Sequence, residues 1–233
     1  MTTHGSVQRR ETLPIHADTT LAALANAYAG ATRVFHRHHL DFCCGGQASL
    51  RDACARKGLD LALVLDELRA EVGEVGRDED WRQQPLPKLV EHIVRHFHAA
   101  HRAELPRLLA MAQKVESVHA PNRDCPRGLA DHLSFVQQEM DLHMQKEEQI
   151  LFPALVAGRG AQAAAPIHCM EQEHVQHGEN LQRLRELAHD YVPPADACNT
   201  WRALYLGLAE FERQLMEHVQ LENHVLFPRA LGR

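Results

Sequence analysis

Two stretches of this chain, HMQKEEQILFP (His143 to Pro153) and HVQLENHVLFP (His218 to Pro228), share the pattern H-x-x-x-E-x-x-x-L-F-P. Residues four apart lie on one face of an α-helix, so each stretch projects a histidine and a glutamate together. Two copies of such a face call for helices that point them into one interior. The spacing marks the second and fourth helices of a duplicated two-helix unit. Leu151, Phe152, Leu226 and Phe227 read as apolar core beside those faces.

The surrounding sequence agrees. Four segments with helical period, roughly 86–117, 127–157, 163–190 and 195–231, are separated by the turn-rich stretches APNRDCPRG, GRGAQAAAP and YVPPADAC. Alternating β-branched runs with hairpin turns are essentially missing. Four long amphipathic helices with short connections predict an all-α antiparallel four-helix bundle over residues 84–233. Upstream, residues 19–40 carry helical periodicity, SLRD (Ser49 to Asp52) resembles a capping box with Gly58 near the helix end, and a third helix runs from about Asp60 to Val72. These three short helices predict a small domain over residues 16–78. The stretch GEVGRDEDWRQQPLP forms the boundary, and residues 1–15 read as a disordered extension.

The duplication places further ligands on the first and third helices. HAAH carries His98 and His101, and HVQH carries His174 and His177. His98 lies 45 residues before His143, and His174 lies 44 before His218, which favours the first member of each pair. The resulting set is His98, His143, Glu147, His174, His218 and Glu222. Four imidazoles and two carboxylates exceed the four ligands of a structural zinc and suit two metals bridged by both glutamates. Mixed nitrogen and oxygen ligation favours iron or manganese over calcium or magnesium. Charge counting favours redox iron, because gaining an oxo bridge on oxidation keeps the net charge of a buried site constant. His101 and His177 are alternative ligands and otherwise read as residues behind the ligands or on the surface. Glu139, one turn before His143, and Glu173 are candidate proton donors.

Composition bounds the remaining possibilities. Apolar residues make up 45% of the 233, enough for a packed core, and their runs are too short and too interrupted by charge to span a membrane. A net charge of −6 with no basic stripe argues against nucleic acid. Six irregularly spaced cysteines and no apolar leader point to a reducing, cytoplasmic setting. One cysteine pair stands apart. Cys43 and Cys44, in DFCCGG, sit in a glycine-rich turn leading towards a helix N-terminus, where backbone N–H groups favour thiolate. Such thiols can hold iron, pass electrons or exchange disulfide, and serve transfer rather than packing.

Together the six ligands, the two L-F-P stretches, VESVHAP, NTWRALY and DFCCGG resemble the di-iron proteins for repair of iron centres, the RIC group of ScdA/YtfE type with a hemerythrin-like bundle. The resemblance covers nearly the whole chain from about residue 15, with no departure at the ligand positions. It implies a helical N-terminal domain bearing the paired cysteines and a non-haem centre of two iron ions, oxo-bridged when oxidised. It also implies a cytoplasmic role in nitrosative or oxidative stress, with damaged iron–sulfur proteins as partners. Reaction with NO, by binding and by reduction to nitrous oxide, belongs to the same expectation; O2 is a further ligand. Neither nucleic acid nor membrane is expected as a partner, and both monomer and homodimer remain open. The rival reading is a hemerythrin-like sensor or carrier of NO or O2 without turnover.

Overall fold

The computed structural model describes residues 13–74 and 80–232. The expected disordered extension lies mostly outside the described residues, as does part of the expected boundary segment. The described residues are helical, with no strand among them and one isolated bridge between Thr20 and Ser49. None of their helices is long and apolar enough to cross a membrane. The chain divides into two compact units between residues 79 and 80.

Among the described residues the first unit has four helices rather than three. Thr20 opens α1 (Leu21–Ala27) by accepting the Ala23 N–H at 3.2 Å. The single helix expected over 19–40 is broken at Tyr28, which turns extended (φ −140°) and donates its hydroxyl to the Leu13 carbonyl. The chain resumes as α2 (Ala29–Arg37). Periodicity alone misses this break, because both pieces keep their apolar faces on the same core. Gly30 permits the resumption: a Cβ there would stand 2.9 Å from Glu71 Cγ. The cap expected at Ser49 opens α3 (Leu50–Lys57), accepting the Asp52 N–H at 3.1 Å, and Gly58 ends it at φ 65°. α4 (Leu61–Glu74) then packs against α2. Arg33–Glu71 (2.6 Å), Arg37–Glu67 (2.7 Å) and His38–Glu67 (3.0 Å) line that contact, over a core that includes Leu24, Val34, Phe35, Phe42, Leu50, Val64 and Leu68.

The second unit is the four-helix bundle. Helix α5 (86–118) joins Leu86–His92, a π-turn at Ile93–His98, and Ala99–Val118. Helix α6 (129–156) joins Leu129–Lys146, a π-turn at Glu147–Leu151, and Phe152–Val156. Helix α7 is Ala164–Leu187. Helix α8 (199–230) joins Asn199–Leu221, a π-turn at Glu222–Leu226, and Phe227–Ala230. Each helix touches its two neighbours around the bundle. Gly160 lets the chain enter α7 close under the end of α8, since a Cβ there would collide with the Ala230 carbonyl. Arg229 reaches back to the Trp81 and Gln84 carbonyls at 2.7 and 2.6 Å, fastening the segment before α5.

Two apolar layers fill the interior. One holds Leu89, Ile93, Phe97, Leu151, Phe152, Ile167, Met170, Leu226 and Phe227, so the L-F-P residues are core as their spacing predicts. The other, towards the opposite end, includes Leu108, Leu133, Leu184, Trp201, Leu204 and Leu208. Each such side chain contributes roughly 1.5–3 kcal/mol by leaving water. Between the layers lies a belt of buried polar residues: His98, His101, His143, Glu147, His174, His177, His218 and Glu222.

Candidate metal centre

The π-turns fall where the belt needs them, carrying His98, Glu147 and Glu222. In α6 and α8 the L-F-P tail accounts for the widening. Proline has no N–H, and its ring collides with the carbonyl four residues back. Those carbonyls belong to Gln149 for Pro153 and to His224 for Pro228, and both lie inside the π-turn. Widening the helix there relieves the collision and re-aims the glutamate at the turn's start. The prolines are therefore part of how the site is made. The first helix makes its π-turn without one.

The six side chains expected as ligands meet at one point. His98 Nε2 and His218 Nε2 stand 3.2 Å apart, and His174 Nε2 and His143 Nε2 3.3 Å apart. Glu147 lies 3.3 Å from His98 Nε2 and 3.5 Å from His143 Nε2. Glu222 lies 3.2 Å from His218 Nε2 and 3.1 Å from His174 Nε2. Two four-residue donor sets result, His98–Glu147–His218–Glu222 and His143–Glu147–His174–Glu222, each with its ligand atoms within 4.8 Å of one another. Both glutamates belong to both sets.

This arrangement fits metal. Glu147 is fully buried, and neither of its oxygens has a hydrogen-bond partner; the same holds for Glu222 Oε2. An ionised carboxylate buried so, with only imidazole nitrogens beside it, costs roughly several kcal/mol unless a metal cation or protons on those imidazoles answer it. The paired Nε2 atoms match the separation that one ion imposes on neighbouring nitrogens held about 2.1 Å from it, about 3.0–3.4 Å.

The outward nitrogens are held by partners that only the fold reveals. His98 Nδ1–H donates to Glu148 at 2.7 Å, and Arg102 braces Glu148 at 2.7 Å. His143 Nδ1–H donates to Glu173 at 2.9 Å, braced by Lys146 at 2.5 Å. His174 Nδ1–H donates to Asn223 Oδ1 at 2.7 Å. Such bonds fix the ring orientation and turn Nε2 inward. Glu148 and Asn223 each directly follow the glutamate of their repeat, a positional match the sequence displays but does not explain. The repeat breaks at the fourth histidine. Glu173 precedes His174, but Phe97 precedes His98 and stacks on His218 (centroids 5.3 Å, planes 8° apart), leaving His218 Nδ1 buried without a partner. Phe152 and Phe227 lie similarly over His98 and His174.

Electrostatics follow from this packing. Burial opposes protonation of His98 and His174, but the glutamates outweigh it: Glu147, Glu222 and Glu148 raise His98, and Glu222 and Glu147, with Asn223, raise His174 to about 9. Burial and then the neighbouring His98 hold His218 well below the usual imidazole range. Burial opposes ionisation of Glu222, yet His174, His143 and His98 lower its pKa. His101 and His177 lie in the belt but outside both donor sets, their rings 5.4 Å from His218 and 4.7 Å from His143. Burial, followed by those same histidines, keeps both neutral. They lie behind the six candidate donors and are fully interior, so the surface alternative falls away. His143, with help from Lys146 and against burial, holds Glu173 at about 2, so at neutral pH this residue is an acceptor. Glu139 sits half-buried one turn before His143.

In the first unit, Cys43 is buried and Cys44 half-buried, with Sγ atoms 3.7 Å apart. The expected helix N-terminus does not reach them, because α3 starts only at Leu50 and its cap is Ser49. The hydrogen bond with Cys44, burial and the Asp41 carboxylate push the Cys43 thiol up, opposite to the thiolate-favouring environment expected. Sequence reasoning saw the glycines and missed Asp41, which accepts the Cys44 N–H at 2.9 Å.

Residues 89–230 match the Hemerythrin HHE cation binding domain, and residues 17–72 match a Domain of Unknown function (DUF542). The iron–sulfur cluster repair protein YtfE of Yersinia pseudotuberculosis is 48% identical over 93% of this chain and 98% of its own length. Its counterpart in Yersinia pestis gives the same figures, and that of Edwardsiella ictaluri is 49% identical over the same shares. The chain belongs to the hemerythrin HHE family and, within it, to the YtfE-type iron–sulfur cluster repair proteins.

Proposed function

We propose that this chain is a di-iron protein that restores iron–sulfur clusters damaged by nitrosative or oxidative stress, working in the cytoplasm on damaged iron–sulfur proteins. The observation that carries the reading is the pair of four-residue donor sets sharing Glu147 and Glu222. Its cofactor is a non-haem pair of iron ions, oxo-bridged when oxidised, which supplies the redox chemistry and the positions for NO or O2. His98 and His218 would hold one iron and His143 and His174 the other, with Glu147 and Glu222 common to both donor sets.

The protein's own part is to orient and to shield. Glu148, Glu173 and Asn223 fix three imidazoles through Nδ1. Phe97, Phe152 and Phe227 cover the rings and exclude water. His101 and His177, neutral and buried, pack behind His218 and His143 and hold those rings from the far side of the belt. Glu173 is assigned the role of anchor for His143, and Glu139 that of proton donor towards the site. Cys43 and Cys44 serve transfer between the chain and its client.

The test is anaerobic iron loading, followed by restoration of a damaged iron–sulfur enzyme. The expected result is about two irons per chain, with restoration lost in Glu147→Ala or Glu222→Ala. Carefully loaded protein holding one iron per chain refutes the dinuclear site. A chain that retains NO unchanged and restores nothing is a gas carrier, and the repair reading falls.

A further inference from the structure

The turn that carries the two cysteines is built more tightly than thiol exchange requires. Asp41 Oδ1 accepts the Cys44 N–H at 2.9 Å and lies 3.4 Å from Cys43 Sγ, and the two sulfurs are 3.7 Å apart. Gly45 is needed for that carboxylate, because a Cβ there would stand 3.0 Å from Asp41 Oδ2 and 3.1 Å from its carbonyl oxygen. The turn is also fastened to the start of α1: Ala22 N–H donates to Gly46 O at 2.8 Å, and Leu21 N–H to Ala48 O at 3.0 Å. Phe42, fully buried between the turn's donors, packs at a tilt against Phe35, ring centroids 5.8 Å apart. One oxygen and two sulfurs, from three different residues, are thus held with their ligand atoms within 4.8 Å of one another.

The 3.7 Å and 3.4 Å separations match two edges of a tetrahedron. With metal–sulfur bonds of about 2.3 Å and a metal–oxygen bond of about 2.1 Å, sulfurs stand about 3.8 Å apart and sulfur and oxygen about 3.6 Å. A disulfide would need the sulfurs at about 2.05 Å, across a ring of adjacent residues in a turn already fixed by backbone bonds. We propose that Asp41, Cys43 and Cys44 form a three-donor site for a single thiolate-seeking divalent ion of the ferrous iron or zinc class. Binding replaces two S–H bonds by two metal–sulfur bonds and sends two protons to solvent; no electron moves. Asp41 is exposed and Cys44 half-buried, so a bound ion would stay accessible from solvent to an incoming ligand that displaces it. As a station for iron in transit the site rests on the repair reading above; as a metal site it rests on the turn alone.

Cobalt(II) separates the two claims. The full chain, its bundle first loaded with iron, is titrated anaerobically with cobalt(II) while the thiolate-to-cobalt charge-transfer band is followed. The bundle's nitrogen and oxygen donors give no such band. The expected result is one cobalt per chain with the band, lost in Cys43→Ser/Cys44→Ser and displaced by zinc(II) and by iron(II). Asp41→Asn should weaken binding by roughly tenfold or more, with unchanged helix content and bundle iron. Absence of the band in the native chain overturns the proposal, as does Asp41→Asn protein that binds as tightly as native. Bundle iron is measured in the same samples. An empty bundle beside a working thiol site refutes the di-iron reading and leaves this one standing.

Discussion

Removing the metal should give the bundle a pH dependence that the loaded protein lacks. Without cations, His98 and His174 take up the protons that answer Glu147 and Glu222, and both have raised folded pKa values, about 9 for His174. A raised folded pKa contributes stability that is full below the unfolded value, 6.5, and is lost as pH rises through the folded one. His101, His177 and His218 have lowered values, so their influence ends below about 6.5 and leaves the higher window to His98 and His174. For His174, fully buried, the span from 6.5 to about 9 corresponds to about 3 kcal/mol. In a unit of this size that lowers Tm by roughly 6–12 °C between pH 6.5 and 9. Trp81 and Trp201, the two tryptophans, both lie in the second unit, so their fluorescence follows the bundle. In the metal-loaded chain the imidazoles are already committed, and Tm should stay level across this range. An apo bundle whose Tm is flat or rises from pH 6.5 to 9 refutes the view that protons stand in for metal at these two histidines.

The other predictions test separate parts of the molecule. Glu147→Ala or Glu222→Ala should cost more bound metal, by elemental analysis, than His101→Ala or His177→Ala; equal losses sink the division between ligands and backing histidines. Gly160→Ala should destabilise by about 1–3 kcal/mol, because its Cβ would meet the Ala230 backbone. Gly178→Ala, on α7 with open space around it, should stabilise by about 0.5–1 kcal/mol; denaturant melts decide both. The pKa of Glu67 is lowered chiefly by His38 and that of Glu71 by Arg33, so the α2–α4 contact should be firm above about pH 4.5 and loosen as pH falls below it. Hydrogen exchange on those helices that shows no acid weakening contradicts this.

The amino-acid sequence settled a great deal here because the chemistry is periodic. A histidine and a glutamate four apart, twice, on helices long enough to bury one face, can converge only inside a bundle, and the L-F-P residues mark which side is core. The matched offsets from His98 and His174 completed the set of six for the same reason: helices of like length in a duplicated unit bring equivalent turns to one level. Local signals were equally direct at Ser49 and Gly58, where a cap and a left-handed turn depend on few neighbours.

What needed the tertiary structure is whatever depends on the exact rotation of a helix or on a partner far along the chain. Periodicity of 3.6 assumes an unbroken helix, so it hid the break at Tyr28 and the π-turns that aim His98, Glu147 and Glu222. The proline of each tail was visible, but its effect on the carbonyl four residues back is a steric event in three dimensions. Glu148 beside His98, fifty residues apart, and Asp41 beside the two thiols are contacts that no spacing rule contains. The departure of His218 from its repeat is of the same kind. The sequence lets it match the other three imidazoles, and only packing shows a phenyl ring where they have a hydrogen-bond acceptor, because ring orientation is set by what fills the space behind it.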